Sequence, residues 1–179
     1  MSKIPFPINN IQPFAKMVQL VTLNPTINPL QFTPALMLAI FWEETMFQNM
    51  KQWPSGPAVG FGQIEKSSIT LANLFVSGNT HSPFDAQLIL NDENVSVQAS
   101  TALLNRYSVN LTTKNGALMA YSKNRQAIVN KWLNCETALN SLLINPLGLN
   151  PSNVEDALQL ARVFPKSGSE YNIIHQQLF

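Results

Sequence analysis

The sequence predicts an all-α fold: an α-rich single domain over 1–179, about eight helices, with little or no β-sheet. Three observations carry that prediction. Apolar residues recur at spacings of three and four along most of the chain, period-two alternation never persists, and helix-starting residues stand ahead of several apolar runs. The composition agrees with a packed core. Hydrophobic residues make up 45% and charged residues 12%, the latter about half the usual share of roughly 25%. Asn, Gln, Ser and Thr supply the remaining polarity.

The first helix opens near Pro13, whose missing N–H costs nothing in a first turn, and carries Phe14, Met17, Val18 and Val21 on one side. Thr33-Pro34 is a stronger start, a capping hydroxyl followed by a proline suited to the first turn. The run from Ala35 to Trp42 is apolar on every side until Glu43, which places this helix at the centre of the domain. Over 48–62 the pattern breaks: Trp53-Pro54-Ser55-Gly56-Pro57 is turn chemistry, and Gly60-Phe61-Gly62 needs backbone freedom.

A third helix is expected from near Ser67 to Ser77-Gly78, then a loop over 79–83. Asp92 caps the next, through Tyr107, with Val95, Val97, Ala102 and Leu103 inward. Thr112 or Thr113 opens a short helix over Gly116–Tyr121, and another runs from Asn124 through Trp132 toward Leu143. After a loop over 145–151, Ser152 with Glu155 reads as a capping box for a final helix bearing Ala157, Leu158, Leu160, Ala161 and Val163. No repeat, charge block or linker divides the chain.

Charge and composition exclude several functions. A net charge of +1 argues against nucleic acid as a partner, which needs a basic surface. The single Cys135 excludes an internal disulfide and cysteine-rich zinc sites, and reads as a small packed hydrophobe. His81 and His175 have no partners at metal spacing. The most apolar stretch falls far short of the roughly 20 residues that span a bilayer, so no integral membrane segment is expected. The opening MSKIPFPINN lacks the apolar run of a signal peptide. Neither metal nor cofactor is implied.

The candidate chemistry lies where the buried helix ends. Glu43 and Glu44 follow directly on the apolar run. Either both face water at the helix end, or one is desolvated, which raises a carboxyl pKa and suits a general acid. Gly60-Phe61-Gly62-Gln63-Ile64 follows. It is either a tight turn or a loop that brings main chain close to a ligand, with the Gln63 amide offered to a polar substrate. Trp42 and Trp132 read as core, whereas Trp53 lies in the Pro-rich loop beside the candidate residues.

Together these segments resemble the lytic transglycosylases of the soluble type, relatives of goose-type lysozyme in the lysozyme-like superfamily. AIFWEETMF over 39–47 is similar to the catalytic helix of that family, an apolar helix closed by Glu-Ser-x-Phe, here Glu44-Thr45-Met46-Phe47. GPAVGFGQI over 56–64 is similar to its Gly-Ala-x-Gly-Leu-Met-Gln-Ile loop. ALMAYSKNRQAIVNKW over 117–132 resembles its Ala-Tyr-Asn-Ala-Gly element and the helix that follows. The three motifs stand in the family's order within 33–132, while 152–178 has no counterpart and is assigned to packing on the core. Thr45 stands for Ser, Phe61-Gly62 for Leu-Met and Ser122-Lys123-Asn124 for Asn-Ala-Gly; Asn124 tolerates the left-handed backbone a glycine would supply.

The resemblance implies a lysozyme-like fold and a peptidoglycan lytic transglycosylase. Its partners would be peptidoglycan glycan strands, cut at the β-1,4 bond between N-acetylmuramic acid and N-acetylglucosamine. Glu44 carries over as the catalytic residue; Glu43 competes by proximity, but lies about 100° away on the helix, so only one is expected to face a given cleft. Gln63, Tyr121, Phe61, Gly60 and Thr45 carry over as substrate-binding, and Trp53 joins them as the stacking candidate.

A second carboxylate is scarce in the sequence: Glu65 is the nearest, at a helix start where a solvated first-turn acid is the ordinary reading. A single-acid mechanism with the substrate's 2-acetamido group is therefore preferred, giving a 1,6-anhydro product. The alternatives are a muramidase on the same fold and a wall-binding or structural module of a phage or secretion apparatus. The expected site of action is the cell wall, periplasmic or extracellular, with delivery by phage lysis, a virion or an injection apparatus; the expected state is a monomer.

Overall fold

The computed structural model describes residues 12–28, 31–52, 55–78, 80–145 and 148–161. Among them the chain forms eight α-helices: α1 Gln12–Leu23, α2 Pro34–Thr45, α3 Lys66–Ser77, α4 Ala86–Asn91, α5 Glu93–Leu111, α6 Lys114–Tyr121, α7 Gln126–Leu143 and α8 Pro151–Gln159. The all-α reading holds. The extended pairing present among the described residues is a pair of isolated antiparallel bridges, Lys51 with Val59 and Val59 with Ile64. They fold the segment after α2 back on itself. No helix among the described residues is long and apolar enough to cross a membrane.

The all-round hydrophobicity of α2 has the expected consequence. Every residue from Ala35 to Trp42 is at most 3% exposed. The helix packs against α7 and α1, while α3 and α6 pack on the long α5. The buried apolar side chains form one continuous cluster, from Phe14 on α1 to Leu158 on α8. Trp42 and Trp132 belong to it, and Trp132 meets Tyr121 edge-on at 6.1 Å between ring centroids.

Thr33 caps α2 as the sequence predicts, its Oγ1 accepting from the Leu36 N–H at 3.2 Å. The same hydroxyl donates to Glu136 on α7 at 2.7 Å, and Lys114 at the start of α6 closes on that carboxylate at 2.6 Å. Glu136 is 5% exposed. A buried carboxylate is tolerated only when paired and hydrogen-bonded, and here it ties three helices together. Helical spacing alone does not reveal it.

Other boundaries differ from the sequence reading. Between the loop expected over 79–83 and α5 stands α4, a helix not assigned from the sequence, started by Asp85, whose carboxylate accepts from the Leu88 N–H at 2.8 Å. Asp92 does cap α5, but that helix runs one turn past Tyr107, because nothing stops it until Thr112 turns left-handed at φ 54°. Thr113 rather than Thr112 caps α6. The last helix opens two residues earlier than Ser152 predicts: Asn150 and Asn153 exchange reciprocal capping bonds of 3.0 Å around Pro151. Asn is as good a cap as Ser, and proline at the first helical position has its φ already set. Of the expected C-terminal packing segment over 152–178, the residues after 161 lie outside those described, as does His175.

Candidate functional site

α2 ends abruptly. Met46 and Phe47 take left-handed φ values of 53° and 65°, and both side chains turn back into the core. The reversal sets Glu43 and Glu44 on the last turn of a helix otherwise sunk in apolar surroundings. Both line one cavity of about 370 Å³, together with Gly62, Gln63, Glu65 and Tyr121. Its rim carries Lys123 and Arg125 from the turn between α6 and α7. The three segments that carry the family resemblance thus contribute to one cleft. The expectation that only one of the two adjacent glutamates faces it is not met: both line it.

Glu44 is shielded, with its side chain 17% exposed, and an Arg125 guanidinium nitrogen lies 3.6 Å from Oε1. The Oε2 atom of Glu43 is out of contact with solvent. Glu65 is not the freely solvated first-turn acid the sequence suggested. It is the residue preceding α3, its side chain is 32% exposed, and it is ion-paired with Lys123 across the cleft.

Several residues expected to touch substrate hold the loop instead. Thr45 is 2% exposed, and its hydroxyl lies 3.1 Å from the carbonyls of both Phe41 and Phe61. It thereby fastens the glycine loop to the end of α2. Phe61 is 1% exposed and packs on Phe41 at 5.7 Å between centroids, so it is core and not a sugar platform. Gly60, at φ 81°, is crowded by the protein's own side chains: a Cβ there would lie 2.6 Å from Ile89 Cγ2 and from Ser96 Oγ. The close approach its conformation permits is to α4 and α5, and Ser96 also accepts the Phe61 N–H at 2.9 Å.

Gln63 lines the cavity, at φ 46°, with its amide donating to the carbonyls of Met50 at 3.1 Å and Gly60 at 2.9 Å. Tyr121 also lines it and donates to the Gly62 carbonyl at 3.2 Å. Burial pushes the Tyr121 hydroxyl far above the ordinary tyrosine range; a hydrogen bond with Ser100 offsets part of that rise, and the charge of Glu44 adds to it. Tyr121 is therefore a neutral donor at any working pH. Trp53 lies outside the described residues.

Lys123 and Arg125 escaped the sequence reading. For Lys123 the signal was the departure of 122–124 from the family's small residues, which places a charge where an alanine would stand; Arg125 lies just beyond that element. Asn124 takes the left-handed conformation expected of it, φ 64°, but Lys123 does so as well, φ 55°. Among the described residues no group of His, Cys, Asp and Glu is arranged to hold a metal ion. No family model matches the chain, and no curated protein or solved structure matches it.

Proposed function

We propose that the protein is a peptidoglycan lytic transglycosylase, with a lysozyme-like fold and Glu44 as its acid and base. The observation that carries this reading is the convergence of Glu44, Gln63 and Tyr121 on one cavity. Each is a polar residue from one of the three segments that resemble the family. Glu44, held at the end of a buried helix, would protonate the glycosidic oxygen between N-acetylmuramic acid and N-acetylglucosamine. The substrate's 2-acetamido group would stabilise the cation that develops. Glu44, then ionised, would take the proton of the sugar 6-hydroxyl, whose oxygen closes on the anomeric carbon to give the 1,6-anhydro end. Gln63 and Tyr121 act in this reading by fixing the loop that forms the cleft wall, while Thr45, Gly60 and Phe61 support it from beneath. The reading places the protein's work on the cell wall, in the periplasm or outside the cell.

Glu65 supports a second reading. A carboxylate in the same cavity as Glu44 is what a hydrolytic muramidase uses to activate water. The test is digestion of purified peptidoglycan with mass spectrometry of the products, comparing wild type with Glu44→Gln and Glu65→Gln. A transglycosylase releases anhydro-muropeptides, is silenced by Glu44→Gln, and loses no more than a few-fold in Glu65→Gln. Reducing ends, with roughly a hundredfold loss in both variants, establish the hydrolase instead. No release from the wall by the wild type refutes both.

A further inference from the structure

We propose that Lys123 and Arg125 form a subsite for a carboxylate carried by the glycan substrate, and that this carboxylate takes Arg125 from Glu44 as the substrate binds. The inference rests on the function proposed above and adds to it a specificity-determining pair. Both cations stand on the wall of the cavity that holds Glu44 and Glu65. They are placed there by a turn that is costly for non-glycine residues, since Lys123 and Asn124 are consecutively left-handed. The turn is locked from below. Ser122 is fully buried, its hydroxyl donates to the Met119 carbonyl at 3.1 Å, and the Asn124 N–H reaches the same carbonyl at 2.7 Å. Arg125 Nε donates to the Ser122 carbonyl at 2.7 Å, which directs the far end of the guanidinium toward Glu44. The Lys123 and Arg125 side chains remain 67% and 49% exposed, open to an incoming group.

The chemistry of the proposed step supplies the reason. Glu44 must carry a proton to act as an acid, and in that form it no longer balances the charge of Arg125. An anion on the substrate restores the balance, so a carboxylate-bearing glycan both fills the subsite and favours the reactive form of the acid. A glycan without one leaves Arg125 paired with Glu44. Muramyl glycans carry carboxylates in two places, on the peptide stem and, where the stem is missing, on the lactyl group itself. Either presents the same chemistry.

The experiment uses intact peptidoglycan, the same wall with its carboxylates amidated by carbodiimide and ammonia, and wall stripped of stems by an amidase. Co-sedimentation measures binding and product release measures turnover, for wild type, Arg125→Gln, Arg125→Lys and Lys123→Gln. Amidation is expected to weaken wild-type binding about fivefold, the size of one partly exposed charge pair. Its effect should shrink in both Arg125→Gln and Lys123→Gln and be mostly retained in Arg125→Lys. Stripped wall bound as tightly as intact wall assigns the lactyl carboxylate, and loss on stripping assigns the stem; both support the subsite. Equal binding of intact and amidated wall by the wild type overturns it. So does amidation sensitivity undiminished in both Arg125→Gln and Lys123→Gln, or an Arg125→Lys variant that loses as much of it as Arg125→Gln, which would make Arg125 a loop brace only. A wild type that binds in this pattern but releases nothing keeps the subsite and refutes the catalytic reading.

Discussion

Gly62 should be irreplaceable by alanine for a reason unconnected with backbone conformation. Its φ is not in the left-handed region, so alanine is free to adopt it. A Cβ at this position, however, would overlap the Tyr121 hydroxyl and Ser100 Oγ, and would crowd Ser100 Cβ at 3.1 Å. Tyr121 cannot swing away cheaply, because it is 9% exposed and held edge-on by Trp132. Overpacking a core of this kind costs about 1–3 kcal/mol. Losing the Tyr121 bond to the Gly62 carbonyl adds about 1 kcal/mol. Gly62→Ala is therefore expected to lose about 2–4 kcal/mol, measured by urea unfolding followed by far-UV circular dichroism. The mechanism makes a sharper claim. In a Tyr121→Phe background the hydroxyl is gone, so the added methyl has less to displace. The double variant should then be more stable than the sum of the single losses by at least about 1 kcal/mol. Losses that simply add would refute the contact as the cause, and a Gly62→Ala protein as stable as wild type would refute the packing of the cleft wall itself.

Three other perturbations follow from particular contacts. Thr45→Val removes a buried hydroxyl that bridges α2 to the glycine loop and should lose about 1–2 kcal/mol in urea unfolding, whereas Thr45→Ser should recover most of it. Glu136→Ala leaves Lys114 and the Thr33 hydroxyl without their shared partner and should cost about 2–4 kcal/mol, read as a lower thermal midpoint with far-UV spectrum unchanged before melting. Burial pushes the Cys135 thiol up from 9.0 to about 12. The native state therefore holds that proton where the unfolded chain loses it, and this contribution is complete below pH 9 and drains away as pH rises toward 12. Urea midpoints taken from pH 8 to 10.5 should fall more steeply for wild type than for Cys135→Ala.

The helices were legible because their signals are local. Thr33-Pro34, Asp92 and the apolar run to Trp42 each work through residues within a turn of one another. α4 went unread although Asp85 is as good a cap as Asp92. Its six residues are too few to show a periodicity, and what holds them is tertiary: Ile89 is fully buried, and the Asn49 amide donates to the Ile89 carbonyl at 2.7 Å. The start of α8 was misplaced because two capping choices stood two residues apart, and Asn150-Pro151 combined the better pair of local preferences. The acidic half of the site was readable for the same local reason, since glutamates at the end of an apolar helix stand out in any sequence. The basic half was not. Lys123 meets Glu65 and Arg125 meets Glu44 only after α6 and α7 fold back over α2 and α3, and no spacing rule joins residues 58 or 81 positions apart.

What folding adds to the sequence pattern is a division of labour within it. Residues with a polar reputation turn inward as fasteners. Thr45 spends its hydroxyl on two carbonyls, Tyr121 donates to the backbone of Gly62, and the Gln63 amide secures the turn that bears it. Gly60 and Gly62 are small because neighbouring side chains occupy the space a methyl group would need. Groups already engaged with the protein have less to offer a ligand. The chemistry of the cleft therefore falls to its charged side chains, the acids Glu43, Glu44 and Glu65 and the cations Lys123 and Arg125. Opposed charges at partial exposure are weakly bound to each other, and a substrate can exchange them at small cost. A cleft built this way favours a ligand that is polar and carries its own charge. A purely neutral sugar chain would have to compete with the ion pairs without replacing either partner.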